Sequence, residues 1–319
     1  MSSDAPLAGV QVVGLGQACV DYLGRLNALP DENGKGELLD LHMRCGGPVS
    51  TAMVTLSRLG VSTSFLGSIS DDIFGQKIEK NLENEKVNIS GLKITPGYSS
   101  QFAFISITGD SGKRTIFWHR GSVPQLRKED VDIGLFHNAR ILHLDGLMIE
   151  ASIEAAKQAK ALGMTVVMDG GTLRRGTREL AHFVDILIVS ETFASTLVGS
   201  EASVEKALHA LRDLGPEQVA VTLGEKGSIG LSGQDIFRQE AYTVRAVDTT
   251  GAGDVYHGAY VYGLLQMWKM RECMRFASAA AALKCTGIGA QSERLTPNGI
   301  QELIKTIPQK NRASLPVFL

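Results

Sequence analysis

From about residue 135 onward, short apolar runs alternate with stretches whose apolar positions recur at helical spacing. Arg140-Ile-Leu-His-Leu144 leads into a helical pattern over 151–162, and Thr165-Val-Val-Met168 and Asp185-Ile-Leu-Ile-Val189 follow as further apolar runs. Val204, Ala207, Leu208, Leu211 and Leu214 then mark one helix face, ahead of Gln218-Val-Ala-Val-Thr222. Near-continuous apolar runs suit strands buried on both faces. Their alternation with helices predicts βαβ units and hence a mostly parallel sheet with a helical layer on each side. Ligands of such sheets gather beyond the carboxyl ends of the strands.

The first third is less regular. Residues 10–16 predict the opening strand and residues 50–59 a helix with Ala52, Leu56 and Leu59 on its inner face, but the connection over 17–44 is long and polar. Residues 102–118 alternate apolar and polar around Asp110-Ser-Gly-Lys113, the pattern of a β-hairpin with a tight turn. Long inserts in compact domains tend to be functional, and these two segments together predict a small β-sheet outside the main layer. Residues 279–290 predict an alanine-rich helix closed by a glycine turn.

Chemistry concentrates at Ala246-Val-Asp-Thr-Thr-Gly-Ala-Gly-Asp254, which runs straight into the apolar, helix-like stretch 255–265. A glycine turn at a helix mouth offers the backbone N–H groups of Gly251, Ala252 and Gly253 to an anion, so the turn reads as a phosphate cradle. Asp254 is expected at or near the helix N-cap, where the positive end of the macrodipole favours its ionised, proton-accepting form. A turn that only caps a helix needs one such side chain. Here Asp248 and Asp254 bracket Thr249 and Thr250, and carboxylates this close need cations or phosphate partners nearby. A base beside an anion hole points to phosphoryl transfer to an alcohol.

Asp248-Thr-Thr-Gly-Ala-Gly-Asp254 resembles the second signature, D-T-x-G-A-G-D, of the ribokinase or PfkB carbohydrate kinases, ketohexokinase- and fructokinase-like members included. The likeness runs from Val10 to about Leu303. It implies a ribokinase-like three-layer α/β/α fold, with a mostly parallel central sheet, as a single domain over 1–319. A β lid formed by about 17–45 and 97–120 would close over the sugar and provide a homodimer contact. The implied activity is ATP-dependent transfer of the γ-phosphoryl group to a sugar hydroxyl with Mg²⁺. Asp254 would be the general base, the amides of Gly251, Ala252 and Gly253 the anion hole, and Asp248 the neighbour of a monovalent-cation site for K⁺.

Further matches extend that implication along the chain. Thr222-Leu-Gly-Glu-Lys-Gly227, on its own a tight connection between strands, is similar to the family's nucleotide turn and assigns Thr222, Gly224 and Gly227 to ATP. The glycine turn at Gly287 and Gly289 is implied as another nucleotide or cation contact. Cys45-Gly-Gly-Pro-Val-Ser-Thr-Ala52 resembles the first signature and assigns Gly46, Gly47 and Thr51 to the sugar, although Thr51 stands where the family usually has asparagine. Asp21 matches an early aspartate that accepts hydrogen bonds from two sugar hydroxyls. Where the family commonly shows N-x-x-E, this chain reads Ser190-Glu-Thr-Phe193. Glu191 is then either a shifted, water-mediated ligand of Mg²⁺ or a helix-start acid favoured by the dipole.

Composition narrows the alternatives. The 319 residues are 44% hydrophobic and 21% charged with a formal net charge of −2, an ordinary globular balance that leaves no basic footprint for nucleic acid. Cys19, Cys45, Cys273 and Cys285 form no CxxC pair and read as reduced thiols. Met1-Ser-Ser-Asp-Ala-Pro6 has no basic leader character and no apolar run reaches membrane-spanning length, so a cytoplasmic enzyme is expected. Gly14-Leu-Gly16 fails as a dinucleotide fingerprint because Cys19 takes the third glycine position, and Gly112-Lys113 lacks the rest of a P-loop. His257, one turn past Asp254, reads as a packed or solvated side chain. Arg174 and Arg175 read as surface charges or as contacts for an acidic substrate. Two rivals stand beside the sugar kinase: a nucleoside kinase of the same superfamily, with Phe102, Phe104 and Trp118 lining a base pocket, and a non-catalytic sugar- or nucleotide-binding protein.

Overall fold

The computed structural model describes residues 9–108 and 113–306. The chain opens with β1 (Val12–Leu15), β2 (Cys19–Leu26), β3 (Asp40–Gly46), α1 (Pro48–Arg58), β4 (Thr63–Ile69), α2 (Ile73–Asn84) and β5 (Leu92–Ile94). The hairpin strands β6 (Phe102–Thr108) and β7 (Lys113–His119) come next. Regular alternation follows through β8 (Ile141–Leu144), α3 (Ile149–Ala161), β9 (Thr165–Gly170), α4 (Thr177–Ala181), β10 (Ile186–Ser190), α5 (Glu191–Val198), α6 (Val204–Arg212) and β11 (Gln218–Thr222). The last elements are β12 (Ser228–Ser232), β13 (Asp235–Gln239), α7 (Ala252–Leu265), α8 (Met270–Cys285) and α9 (Pro297–Thr306).

The apolar runs become a nine-stranded sheet in the order β13-β12-β11-β10-β9-β8-β1-β4-β5. It is parallel from β5 to β11 and antiparallel only at the β12–β13 edge. Successive strand residues point to opposite faces. Val12, Val167, Ile188 and Ala220 therefore join the core beneath α1, α7 and α8, while Val13, Val166, Leu187, Val189 and Val221 join the one beneath α3, α5 and α6. Both faces are covered, which is why these strands carry no polar alternation. Helix α7 is apolar on nearly every side for the same reason, being held between α1 and α8.

The long polar connection joins the small sheet expected from the sequence. It folds as β2 and β3, which join β6 and β7 in a second, four-stranded sheet of order β3-β2-β6-β7. Within it β2 and β6 run parallel and the other pairs antiparallel. The tight turn expected within 110–113 falls mostly on residues 109–112, outside the described residues, as does the segment Met1–Pro6. Residues 63–94 hold β4, α2 and β5, an α/β unit that the apolar pattern did not flag. Helix α2 starts at Asp72, whose carboxylate accepts from the Gly75 amide at 2.8 Å and also from the amide and hydroxyl of Ser100 at 2.8 and 2.6 Å. One N-cap thus ties the helix to the entrance of the small sheet. No helix among the described residues is long and apolar enough to cross a membrane.

Helices α1 and α7 meet closely at Gly258, where an added Cβ would lie 2.8 Å from the Ala52 carbonyl oxygen and 2.9 Å from the Thr55 Cβ. Gly258→Leu is expected to overpack this contact and cost at least about 1–3 kcal/mol, read as a lower thermal unfolding midpoint. Gly253→Ala, at a position with no heavy atom within 4 Å of the added carbon, is expected to leave the midpoint unchanged.

Candidate active site

Each of the two packed helices is preceded by a glycine turn. Gly47 caps α1 with φ of 99°, a conformation costly for any other residue, and Pro48 opens the helix. A side chain at Gly46 would collide with the Asp21 carboxylate, so this glycine lets β2 deliver Asp21 against the turn. Asp21 is buried at 3% exposure and accepts from the Cys19 thiol at 3.1 Å. Burial pushes its carboxyl up to about 6, aided by the Asp248 charge and opposed by Cys19 and Lys284. Thr51, one turn into α1, is fully buried and its hydroxyl has no hydrogen-bond partner among the described residues. Such a group awaits a partner from outside the chain.

At the second turn Gly251 is the N-cap of α7, left-handed with φ of 75° and pressed against Ala290. Asp254 is the third residue of the helix rather than its cap, and it makes no capping bond. First-turn amides lack intrahelical acceptors. Space around Gly253 is open, whereas the Ala252 amide turns back to the Thr249 carbonyl at 3.3 Å. The expected influence of the helix dipole on Asp254 is overridden. Burial, followed by the charge of Asp169 and a smaller effect of Asp21, pushes its carboxyl up to about 7 against the pull of His257 and Arg114. Two carboxylates sharing a poorly hydrated site cannot both ionise easily.

Asp248, the first acid of the turn, is fully buried. One carboxylate oxygen accepts from the Thr250 amide and the other from the Gly289 amide, both at 2.8 Å. The Lys284 ammonium, equally buried, donates to the Asp248 carbonyl at 2.7 Å and stands 3.8 Å from its carboxylate. From the small sheet, Arg114 on β7 donates to the Thr249 hydroxyl at 2.6 Å. The same sheet rests on the 286–294 loop, with Ile288 packed against Leu23, Ala103, Ile105 and Ile107.

Strand ends supply further acids. Asp145, just past β8, lies against Gly16 and accepts from the amides of Gln17 and Leu147 at 2.7 and 2.9 Å. Its carboxyl is nevertheless raised to about 7 by burial. Asp169, on β9, faces His257 of α7 at 3.2 Å. Burial works against the Asp169 charge, but His257 outweighs it and holds the carboxyl below the usual range. His143 on β8 stacks obliquely at 5.8 Å from His257. Burial, reinforced by His257, drives His143 down to about 3, so it stays neutral.

At the β10–β11 ends, Ser190 pairs with Thr222 and caps α5 by accepting from the Phe193 amide at 3.0 Å. Glu191 is a half-exposed helix-start acid 3.6 Å from Lys226, on the turn that Thr222, Gly224 and Gly227 frame. Gly224 has φ of 59° with open space about it, while Gly227, with φ of 90°, is packed against the chain near Gln239. Gly287 lines a cavity of about 500 Å³ with Arg44, Lys77 and Arg294.

The profile of the pfkB family carbohydrate kinases matches residues 11–297. The chain belongs to this family. A ribokinase from Haemophilus influenzae is 30% identical over 289 residues, covering 85% of this chain and 93% of that one. A nucleoside kinase from Methanothermobacter thermautotrophicus is 27% identical over 92% of this chain and 93% of its own length. Among solved structures, the ribokinase of Arabidopsis thaliana complexed with ribose and ATP superposes with a TM-score of 0.81 at 27% identity, covering 94% of this chain and 99% of that one. The protein is thus a sugar or nucleoside kinase with the ribokinase-like fold.

In this pfkB kinase the three aromatic residues of the expected base pocket divide between the two faces of the small sheet. Asp21, Ala103 and Trp118 share one register and one face of the small sheet, and Phe102 and Phe104 fall on the other. Phe102 stacks with Phe74 and His119, and Phe104 with Phe117. Arg174 and Arg175 are exposed. Sequence reasoning missed Arg114, Asp145, His143, Asp169 and Lys284, and read His257 only as packed or solvated. Lys284, as a lysine inside an alanine-rich helix, was the one legible anomaly. The arrangement sets a measurable balance of charge: carbon-detected titration of Asp254 is expected to give a midpoint near 7, and Arg114→Met to move it upward.

Proposed function

We propose that this pfkB kinase transfers the γ-phosphoryl group of ATP to a hydroxyl of a sugar, with Asp254 as the general base. The observation that carries the reading is Asp254 itself: a half-buried carboxyl with its acidity tuned to about 7, one residue after an open glycine amide at a helix N-terminus. A base of that strength is half-ionised at neutral pH and takes up a hydroxyl proton far better than an ordinary aspartate. The amides of Gly251 and Gly253, with Ala252 contributing less because of its turn to Thr249, would hold charge on the moving phosphoryl group.

The open backbone at Gly253 and Gly224 suits a polyphosphate, and the buried Thr250 hydroxyl, without a partner among the described residues, suits an added acceptor or donor. Thr222, Gly224 and Gly227 would hold the nucleotide. Among the described residues no group of three or more His, Cys, Asp or Glu side chains forms a metal cage. Mg²⁺ would come in with the nucleotide, with Glu191 reaching it through water, and would neutralise phosphate charge.

On the acceptor side, Asp21, Gly46, Gly47 and Thr51 would hold the sugar. Asp21 and Asp145, both less acidic than usual, can accept from or donate to its hydroxyls. The small sheet would serve as the lid that keeps water out, and Arg114 would reach the transferring group from it. A sugar is favoured over a nucleoside because two of the three aromatic residues, Phe102 and Phe104, face away from Asp21, leaving Trp118 alone on its side. The exposed Leu41, Met43 and Phe117, which share the outer face of that sheet, would pair two copies in a homodimer.

Asp254→Asn is expected to fold normally and lose on the order of 10²–10⁴ in turnover, measured as ADP release against a panel of sugars and nucleosides. The wild-type kcat/KM is expected to fall as pH drops through about 7, because the base is then protonated. Undiminished turnover by the variant would remove Asp254 from the role of base, and a preference for nucleosides would overturn the sugar reading.

A further inference from the structure

The family resemblance brought with it a K⁺ ion beside Asp248, and the residues around Asp248 do not fit one. A bare monovalent cation needs several free oxygens around an open volume. Here both carboxylate oxygens already accept backbone amides, from Thr250 and Gly289 at 2.8 Å. The carbonyl of the same residue accepts from Lys284 at 2.7 Å. The space on the remaining side is filled by that ammonium, 3.8 Å from the carboxylate, and both residues have no exposed surface. A metal ion brought next to it would meet a like charge in a poorly screened interior.

We infer that Lys284 is a tethered monovalent cation: its ammonium takes the electrostatic place of a bound K⁺ behind the anion-hole turn, so this kinase works without any monovalent metal. The geometry gives the group two tasks. It neutralises a carboxylate that would otherwise be buried without a counter-charge. It also pins the end of α8 to the residue that opens the Thr249–Gly253 turn, which fixes where the amides of that turn point. Burial pulls the lysine toward its neutral form, and the Asp248 carboxylate, with lesser help from Cys285 and Asp254, pulls it back toward the cation. The second acid in the loop's surroundings is therefore matched from within the chain.

The inference rests on the reading of the Gly251–Asp254 turn as the phosphoryl-transfer centre, and the test separates the two. Wild-type and Lys284→Ala proteins are assayed and melted in potassium chloride and in tetramethylammonium chloride at equal ionic strength. Wild type is expected to show the same turnover and the same unfolding midpoint in both salts. Lys284→Ala is expected to lose on the order of 10²-fold in turnover and to regain activity and thermal stability with K⁺ or methylammonium but not with tetramethylammonium. Activation of the wild type by K⁺ of more than about tenfold overturns the inference even if the variant does not fold. So does a folded Lys284→Ala that is as active as wild type in tetramethylammonium. A wild type that phosphorylates no alcohol sinks the functional reading instead, and the salt dependence of the unfolding midpoints still decides the role of Lys284.

Discussion

A carboxylate sealed from water is tolerated only when its lone pairs meet donors, and Asp248 meets that condition by joining parts of the chain that lie far apart in sequence. The amide of Gly289 is 41 residues away, and Lys284 comes from the end of α8. The turn at 249–253 is therefore held from behind by α8 and the loop after it, not by its own short backbone. What its amides present to a ligand depends on this one buried knot.

In front of the knot the chain crowds acids. Asp21, Asp145, Asp169 and Asp254 reach the same region from β2, the ends of β8 and β9, and α7, and their partners differ: Lys284 acts on Asp21, His257 on Asp169, His257 and Arg114 on Asp254, and only backbone amides on Asp145. The outcome differs by partner. Asp169 has His257 at 3.2 Å and stays a stronger acid, while burial and the Asp169 charge outweigh His257 and Arg114 at Asp254 and make it a weaker one. Two aspartates of identical chemistry are driven in opposite directions by what packs beside them.

The parallel sheet was legible because each central strand is buried on both faces, which leaves an unbroken apolar run in the sequence. The glycine turns were legible because a positive φ and a close backbone approach are local demands that only glycine meets. Residues 63–94 were harder to read, since α2 buries little beyond Gly75, Ile78 and Leu82. Residues 17–44 read as a polar connection because β3 keeps most of its surface in solvent, and it was the pairing with the 102–118 hairpin that made the small sheet legible. His143, Asp145, Asp169 and His257 acquire meaning only when three elements bring them together. No spacing along one chain encodes that meeting, and a lone histidine after Asp254 has no distinctive neighbour in the sequence. The dipole argument for Asp254 failed for a related reason: a local effect lost to burial and to a charge from β9.

The contact at Gly258 carries a wider consequence. With the rest of the α1–α7 packing, it holds the two helices together closely, so the glycine turns that open them belong to one rigid pair. On the proposed reading, one of those turns receives the alcohol and the other the phosphorus. Alignment of nucleophile and electrophile is then a property of the scaffold, whereas the small sheet governs admission. On that reading, sequence drift in that sheet away from Asp21 and Arg114 would retune which alcohol enters without disturbing the trajectory of attack.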